Sequence, residues 1–200
     1  MLKRNRGFSL MELLITMTVS ITLFAGVISL ITQLLVSQRQ ITANLALENE
    51  LSLVGQIMTD EIRRAGFNQH AIAMFSAKSS SPFTPPIALF STEDEGVTNC
   101  ILFSYDKNQN GMLDTETPDE RFGFKLNNQA IEIRRDGAPC DKGGWHDLTD
   151  PRTVKVTAFI LNKLTSPNAP NFLQINIKAH HAKFTQLQRE KHLYVRLENG

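Results

Sequence analysis

Twenty-six consecutive residues, Leu13 to Gln38, carry no charged side chain. At 1.5 Å of rise per residue they make roughly 39 Å of helix, enough to cross a hydrocarbon core of about 30 Å. No other feature limits the fold so sharply. Its hydroxyl residues, among them Thr16, Thr18, Thr22 and Thr32, can bond back to the preceding turn and so tolerate an apolar surrounding. Lys3, Arg4 and Arg6 lie ahead of the run and Arg39 follows it. That cation excess predicts a single pass with the N-terminus cytoplasmic and the chain beyond about residue 40 across the membrane, in the periplasm of a bacterium.

The position of Gly7 separates this segment from a secretory signal. Signal peptides place the small residue after the apolar stretch, and cleavage there discards the stretch. Here the glycine precedes it, so a cut after Gly7 leaves the helix on a mature chain that begins with Phe8. Glu12 then becomes the fifth residue. An ionisable group at the edge of a spanning helix is costly and points to a partner or a function. Glu12 either rests solvated at the headgroup level or pairs with a cation. The free α-amino group of Phe8, in the same chain or a neighbouring one, would serve, and such a pair sets axial register between packed helices.

The stretch Lys3-Arg4-Asn5-Arg6-Gly7-Phe8-Ser9-Leu10-Met11-Glu12-Leu13 resembles the class III signal of type IV pilins and pseudopilins. The resemblance implies cleavage between Gly7 and Phe8 by prepilin peptidase, N-methylation of Phe8, and a role for Glu12 in assembly.

Past Arg39 the apolar residues narrow to a stripe, Leu47, Leu51, Val54, Met58 and Ile62, at helical spacing, with Glu48, Glu50, Asp60, Glu61 and Arg63 free to face water. The helix is predicted to continue to about Ala65 and to end at Gly66. Arg63 and Arg64 suit a helix C-terminus by its dipole, without any nucleic-acid contact. Ser76 to Pro86 reads as a surface loop. Thereafter the period falls to two: Ile101-Phe103-Tyr105, Phe122-Phe124-Leu126, Ile131-Ile133, Val154 to Ile160, Leu173-Ile175-Ile177 and Leu193-Val195-Leu197. Asn127-Asn128 joins two of these runs as a hairpin. The prediction is an α+β, type IV pilin-like fold: a long N-terminal helix, transmembrane in its first half, packed on an antiparallel sheet of about six strands. Its parts are a leader (1–7), a membrane or filament-core helix (8–38), an amphipathic continuation (39–66) and a β-rich head (67–200).

Two cysteines, Cys100 and Cys140, in an exported chain read as a disulfide, with free thiols or half a metal site as alternatives. No cofactor or metal site is predicted. One segment leaves a question open: Asp106, Asn108 and Asn110 followed by Gly111 match the opening of a calcium loop, but Thr117 stands where a bidentate acid belongs. The competing reading is an Asn-Gly turn between strands.

Phe122-Gly123-Phe124-Lys125-Leu126, the cysteine pair and Gly143-Gly144-Trp145 are similar to the minor prepilin family called prepilin peptidase-dependent protein B. Glu61-Ile62-Arg63-Arg64-Ala65-Gly66-Phe67 likewise resembles PilW-type minor pilins. The likeness runs to about Pro151. It implies a low-abundance subunit that helps initiate a filament and stays near its tip. Its partners would be prepilin peptidase, other minor pilins, the major pilin, an inner-membrane assembly platform and membrane lipid.

Competing functions find less in the sequence. His70, His146, His180, His181 and His192 are scattered, and no nucleophile elbow, zinc helix, phosphate loop or dinucleotide fingerprint occurs, so no enzyme is expected. The formal charge of +1 becomes −2 without Lys3, Arg4 and Arg6, which gives no broad footprint for nucleic acid, though local patches at Arg134-Arg135 or Lys178 to Lys183 stay open. A minor pseudopilin of a type II secretion system, of the J type, shares the same N-terminal signature. A membrane-anchored adhesion or DNA-uptake module is the alternative from another class.

Overall fold

The computed structural model describes residues 7, 9–91, 96–166 and 169–199. They fall into two compact units, divided between Ala43 and Asn44, and one helix, α1 (Leu10–Arg63), contributes to both.

In the first unit α1 is exposed from Leu10 through Thr42. The threonines bond as the sequence predicts: Thr16 to the Leu13 carbonyl at 2.9 Å, Thr22 to that of Val19 at 2.8 Å, Thr32 to that of Ser29 at 2.8 Å. Their polar atoms are thus satisfied within the helix, and an apolar surface remains. By length and composition α1 is the one helix among the described residues able to cross a membrane.

In the second unit, the rest of α1 lays Leu47, Leu51, Val54, Met58 and Ile62 into the core, each at most 1% exposed. The helix stops where a residue with positive φ is needed. Gly66 has φ +78°, and a Cβ there would meet Pro86 Cβ at 2.7 Å. The Gly66 amide donates to the Ser104 carbonyl at 2.9 Å, and Asn199 Nδ2 donates to the Ala65 carbonyl at 3.0 Å, which satisfies one of the terminal carbonyls.

Among the described residues eight strands follow, not six, in two antiparallel sheets. The first sheet is a meander in chain order: β1 (Ile87–Phe90), β2 (Cys100–Ser104), β3 (Arg121–Asn127), β4 (Ala130–Arg134) and β5 (Trp145–Asp147). The second comprises β6 (Val154–Ser166), β7 (Ala169–His181) and β8 (Gln188–Arg196). Backbone bonds from Val156 to the Gln129 carbonyl (2.8 Å) and from Leu161 to the Thr98 carbonyl (2.9 Å) tie β6 to the first sheet. The inward residues of both sheets, including Ile101, Phe124, Ile131, Val156, Phe159, Ile175 and Val195, close one core with the helix stripe.

Three local differences have simple causes. The β3–β4 turn is Asn128-Gln129, one residue later than predicted, with both φ positive (48° and 64°) and Asn127 paired to Ala130. β1 and β5 escaped prediction because strands of four and three residues span too few periods to show alternation. A short helix, α2 (Ala71–Ser76), precedes the predicted loop and buries none of its residues, so it has no stripe to read.

Candidate functional site

The N-terminal segment of the pilin signature is built around Ser9 and Glu12. Gly7 is exposed; Phe8 lies outside the described residues. Ser9 stands one residue before α1, its carbonyl accepting from the Leu13 amide at 3.2 Å, while Glu12 Oε2 accepts from the Ser9 amide at 3.0 Å. A serine before the helix with a glutamate three residues later that reaches back to its amide is the reciprocal half of a capping box. The sequence carries this Ser-x-x-Glu spacing, a signal for a helix cap separate from any charge pairing of Glu12. The carboxylate therefore already has a local role at the start of the helix.

The head's most constrained surface lies where the cysteines meet. Cys100 and Cys140 are joined, the cross-link spanning 40 residues of sequence. In the chain-entropy picture that closure stabilises the fold by about 4 kcal/mol. Cys100 is the register partner of Lys125 on β3, and Lys125 acts on the same loop as the bridge. Its Nζ donates to the carbonyls of Cys140 (3.1 Å) and Lys142 (3.0 Å), stands 3.7 Å from Glu132 Oε2, and lies 4.7 Å from the centre of the Trp145 ring. Glu132 also accepts from Asn127 Nδ2 at 2.8 Å. Both charged side chains are nearly sealed from solvent, at 7% and 10% exposed. Arg134 pins the same loop from β4, donating to the carbonyls of Gly137 (2.6 Å) and Ala138 (2.7 Å), and burial pushes its guanidinium down from the ordinary arginine range. An open groove of about 680 Å³ runs beside Lys125, Glu132, Cys140 and Trp145.

This inward use of Arg134 removes it from any phosphate-binding patch. At the other suggested patch, Lys178 pairs with Glu190 at 3.4 Å, and His181 is buried, its Nδ1 accepting from the amides of Lys183 and Phe184. Adjacent residues on β7, His180 and His181, differ in burial as alternation requires.

A second polar cluster joins the helix end to β2. The Tyr105 hydroxyl donates to Glu61 Oε2 at 2.8 Å, and Arg64 lies 3.3 Å from Glu61 Oε1. Burial, with help from Glu61, pushes the Tyr105 phenol up to about 12. The loop from Asp106 to Glu120 connects β2 to β3. Among the described residues no group of three or more His, Cys, Asp or Glu side chains gathers as a ready metal centre.

Comparison with known proteins gives two family matches. Residues 40–197 match the family model of prepilin peptidase-dependent protein B, and residues 2–28 match the prokaryotic N-terminal methylation motif. The chain is 27% identical over 178 residues to prepilin peptidase-dependent protein B of Escherichia coli K12, covering 88% of this chain and 87% of that one. It is 24% identical to an uncharacterized protein of Haemophilus influenzae, covering 78% of this chain and 81% of that one. No solved structure matches.

Proposed function

Because the chain belongs to the prepilin peptidase-dependent protein B family and carries the methylation motif of type IV pilin-like proteins, we propose that it is a minor pilin, processed by prepilin peptidase, that helps initiate a type IV pilus and stays at or near the tip. The observation that carries this reading is the join of an exposed, apolar, internally satisfied helix to a signal that places Gly7 ahead of it. In water that surface has no cover. It suits first a bilayer, with the N-terminus cytoplasmic and the head periplasmic, and then a filament core of like helices. Removal of residues 1–7 frees the Phe8 amine, and Glu12 then pairs with that amine or with the one on a neighbouring subunit. The head, fixed by its disulfide and by Lys125, presents loops and sheet edges to other minor pilins, the major pilin and the inner-membrane assembly platform.

The decisive experiment is the intact mass of the membrane-extracted protein from cells with and without prepilin peptidase. The expected result is loss of residues 1–7 and gain of one methyl group, in the peptidase-positive cells alone. An uncut chain in both strains would make this an ordinary anchored protein and end the proposal.

A further inference from the structure

The loop between β2 and β3 contains the strongest unexplained feature of the head. Asp106 is 2% exposed, and its Oδ1 is the buried side-chain polar atom that has no hydrogen-bond partner among the described residues. An orphaned acceptor on a buried carboxylate is expensive, and native folds seldom keep one without a ligand, a water or an ion. The other oxygen, Oδ2, accepts from the amides of Gln69 and Gly111, each at 3.0 Å. The carboxylate is therefore held at the first loop position facing the sixth, where Gly111 takes φ +77°.

The rest of the loop offers oxygen at the matching intervals. Asn108 Oδ1 accepts from the Asn110 amide at 3.1 Å, and Asn110 Oδ1 from the Met112 amide at 2.8 Å. The amide nitrogens of both asparagines converge on one oxygen of Asp114, Asn108 at 2.6 Å and Asn110 at 2.9 Å. Two donors meeting on one carboxylate oxygen mark the point where positive charge is favoured. Each asparagine Oδ1 keeps a second lone pair beyond its backbone bond, which a cation can share. The acid missing from the twelfth position has a counterpart in Glu120, which is fully buried. Its Oε1 accepts from the amides of Lys107 (2.7 Å) and Asn108 (3.2 Å) and its Oε2 from that of Asp114 (3.2 Å). It clamps the loop through the backbone and leaves ligation to the others. The one cation inside the cluster's sequence, Lys107, lies toward the Phe122 ring, 5.8 Å from its centre.

We propose that this loop is a calcium site, with Asp106 Oδ1, the side-chain oxygens of Asn108 and Asn110, Asp114 and the Met112 carbonyl as ligands. All are hard oxygens, several are neutral, and the loop is irregular. Calcium accepts six to eight such ligands in flexible geometry, whereas magnesium demands a near-ideal octahedron and keeps its waters. The site closes the β2–β3 connection and fixes the chain beside the end of α1.

The test is hydrogen-exchange mass spectrometry on the detergent-solubilised full chain, stripped of metal and then given about 5 mM calcium or magnesium chloride, far above the roughly 10⁻⁴–10⁻³ M affinity of extracellular calcium modules. Calcium is expected to slow exchange of amides 107–114 at least tenfold, and magnesium to leave them unchanged. Asp106→Asn and Asp114→Asn should weaken the response at least tenfold. Asp114 is partly exposed, so its variant keeps the fold, which an intact disulfide by mass checks. No protection in the wild type, an equal response to magnesium, or an undiminished response in Asp114→Asn would each overturn the proposal.

Discussion

Replacing Lys125 by methionine tests whether the buried cation, and not the disulfide alone, holds the Cys140 loop. Methionine keeps the length and apolar body of the side chain but removes four interactions, one of them the cation's contact with the Trp145 ring. Glu132, 10% exposed, would keep Asn127 Nδ2 and lose its ionic partner, and the carbonyls of Cys140 and Lys142 would each lose a donor. Removing one member of a buried pair costs about 3–5 kcal/mol, and the bond from Asn127 argues for the lower end, about 3 kcal/mol. For a head of this size each kcal/mol moves the midpoint by about 2–4 °C, so the melting temperature should fall by about 6–12 °C. Guanidinium and thermal unfolding of the oxidised protein, followed by circular dichroism, would read the change. Adding Glu132→Gln removes the stranded charge and should restore about 2 kcal/mol. A single variant within about 1 kcal/mol of wild type, or a double variant no better than the single, would refute the reasoning, because Lys125 would then be a solvated lysine in practice.

Three further outcomes follow from the geometry. Glu12→Gln keeps an acceptor for the Ser9 amide but loses the charge, whereas Glu12→Ala loses both; both should be cleaved normally and both should fail to support piliation, and rescue by glutamine would show that Glu12 acts only as a helix cap. Gly66→Ala should destabilise the head by about 2 kcal/mol, read by denaturation, because alanine pays for positive φ and its Cβ meets Pro86 at 2.7 Å. The Tyr105 phenol, held up at about 12 against an ordinary value of 10, favours the folded protein while protonated. Its contribution is complete below pH 10 and is lost as pH rises to 12. Absorbance at alkaline pH should show a late tyrosine step that Tyr105→Phe deletes, and an unchanged titration in that variant would remove Tyr105 from this role.

The long-period features were readable in the chain. The stripe from Leu47 to Ile62 is buried to within 1%, and the alternating residues of the long strands line the core, because each pattern repeats often enough to stand above chance. Lys125 was not readable. It alternates with Phe124 and so should face solvent, but the loop ending at Trp145 covers the outer side of β3 there, and both faces are sealed. The division into two sheets was also hidden, since nothing in a strand's own residues says which neighbours it will pair with. At Glu12 the Ser-x-x-Glu capping spacing is legible in the sequence, and the bond to the Ser9 amide follows from it. At the Asp106 loop the sequence offered only the oxygen spacing of a calcium-loop opening, and the packing revealed an oxygen without a hydrogen-bond partner among the described residues.

The disulfide also has a mechanical meaning. If the head were pulled between its helix and its last strand, tension arriving at Cys100 would pass through sulfur to Cys140 and bypass β2 beyond its first residue, β3, β4 and the loop between β2 and β3. The shielded segment spans 40 residues, or roughly 13–14 nm of contour length at about 3.3–3.6 Å per residue. The meander could therefore lose β1, or even the second sheet, to force without paying out its hidden length, and it would recoil from a much shorter extension than the reduced chain.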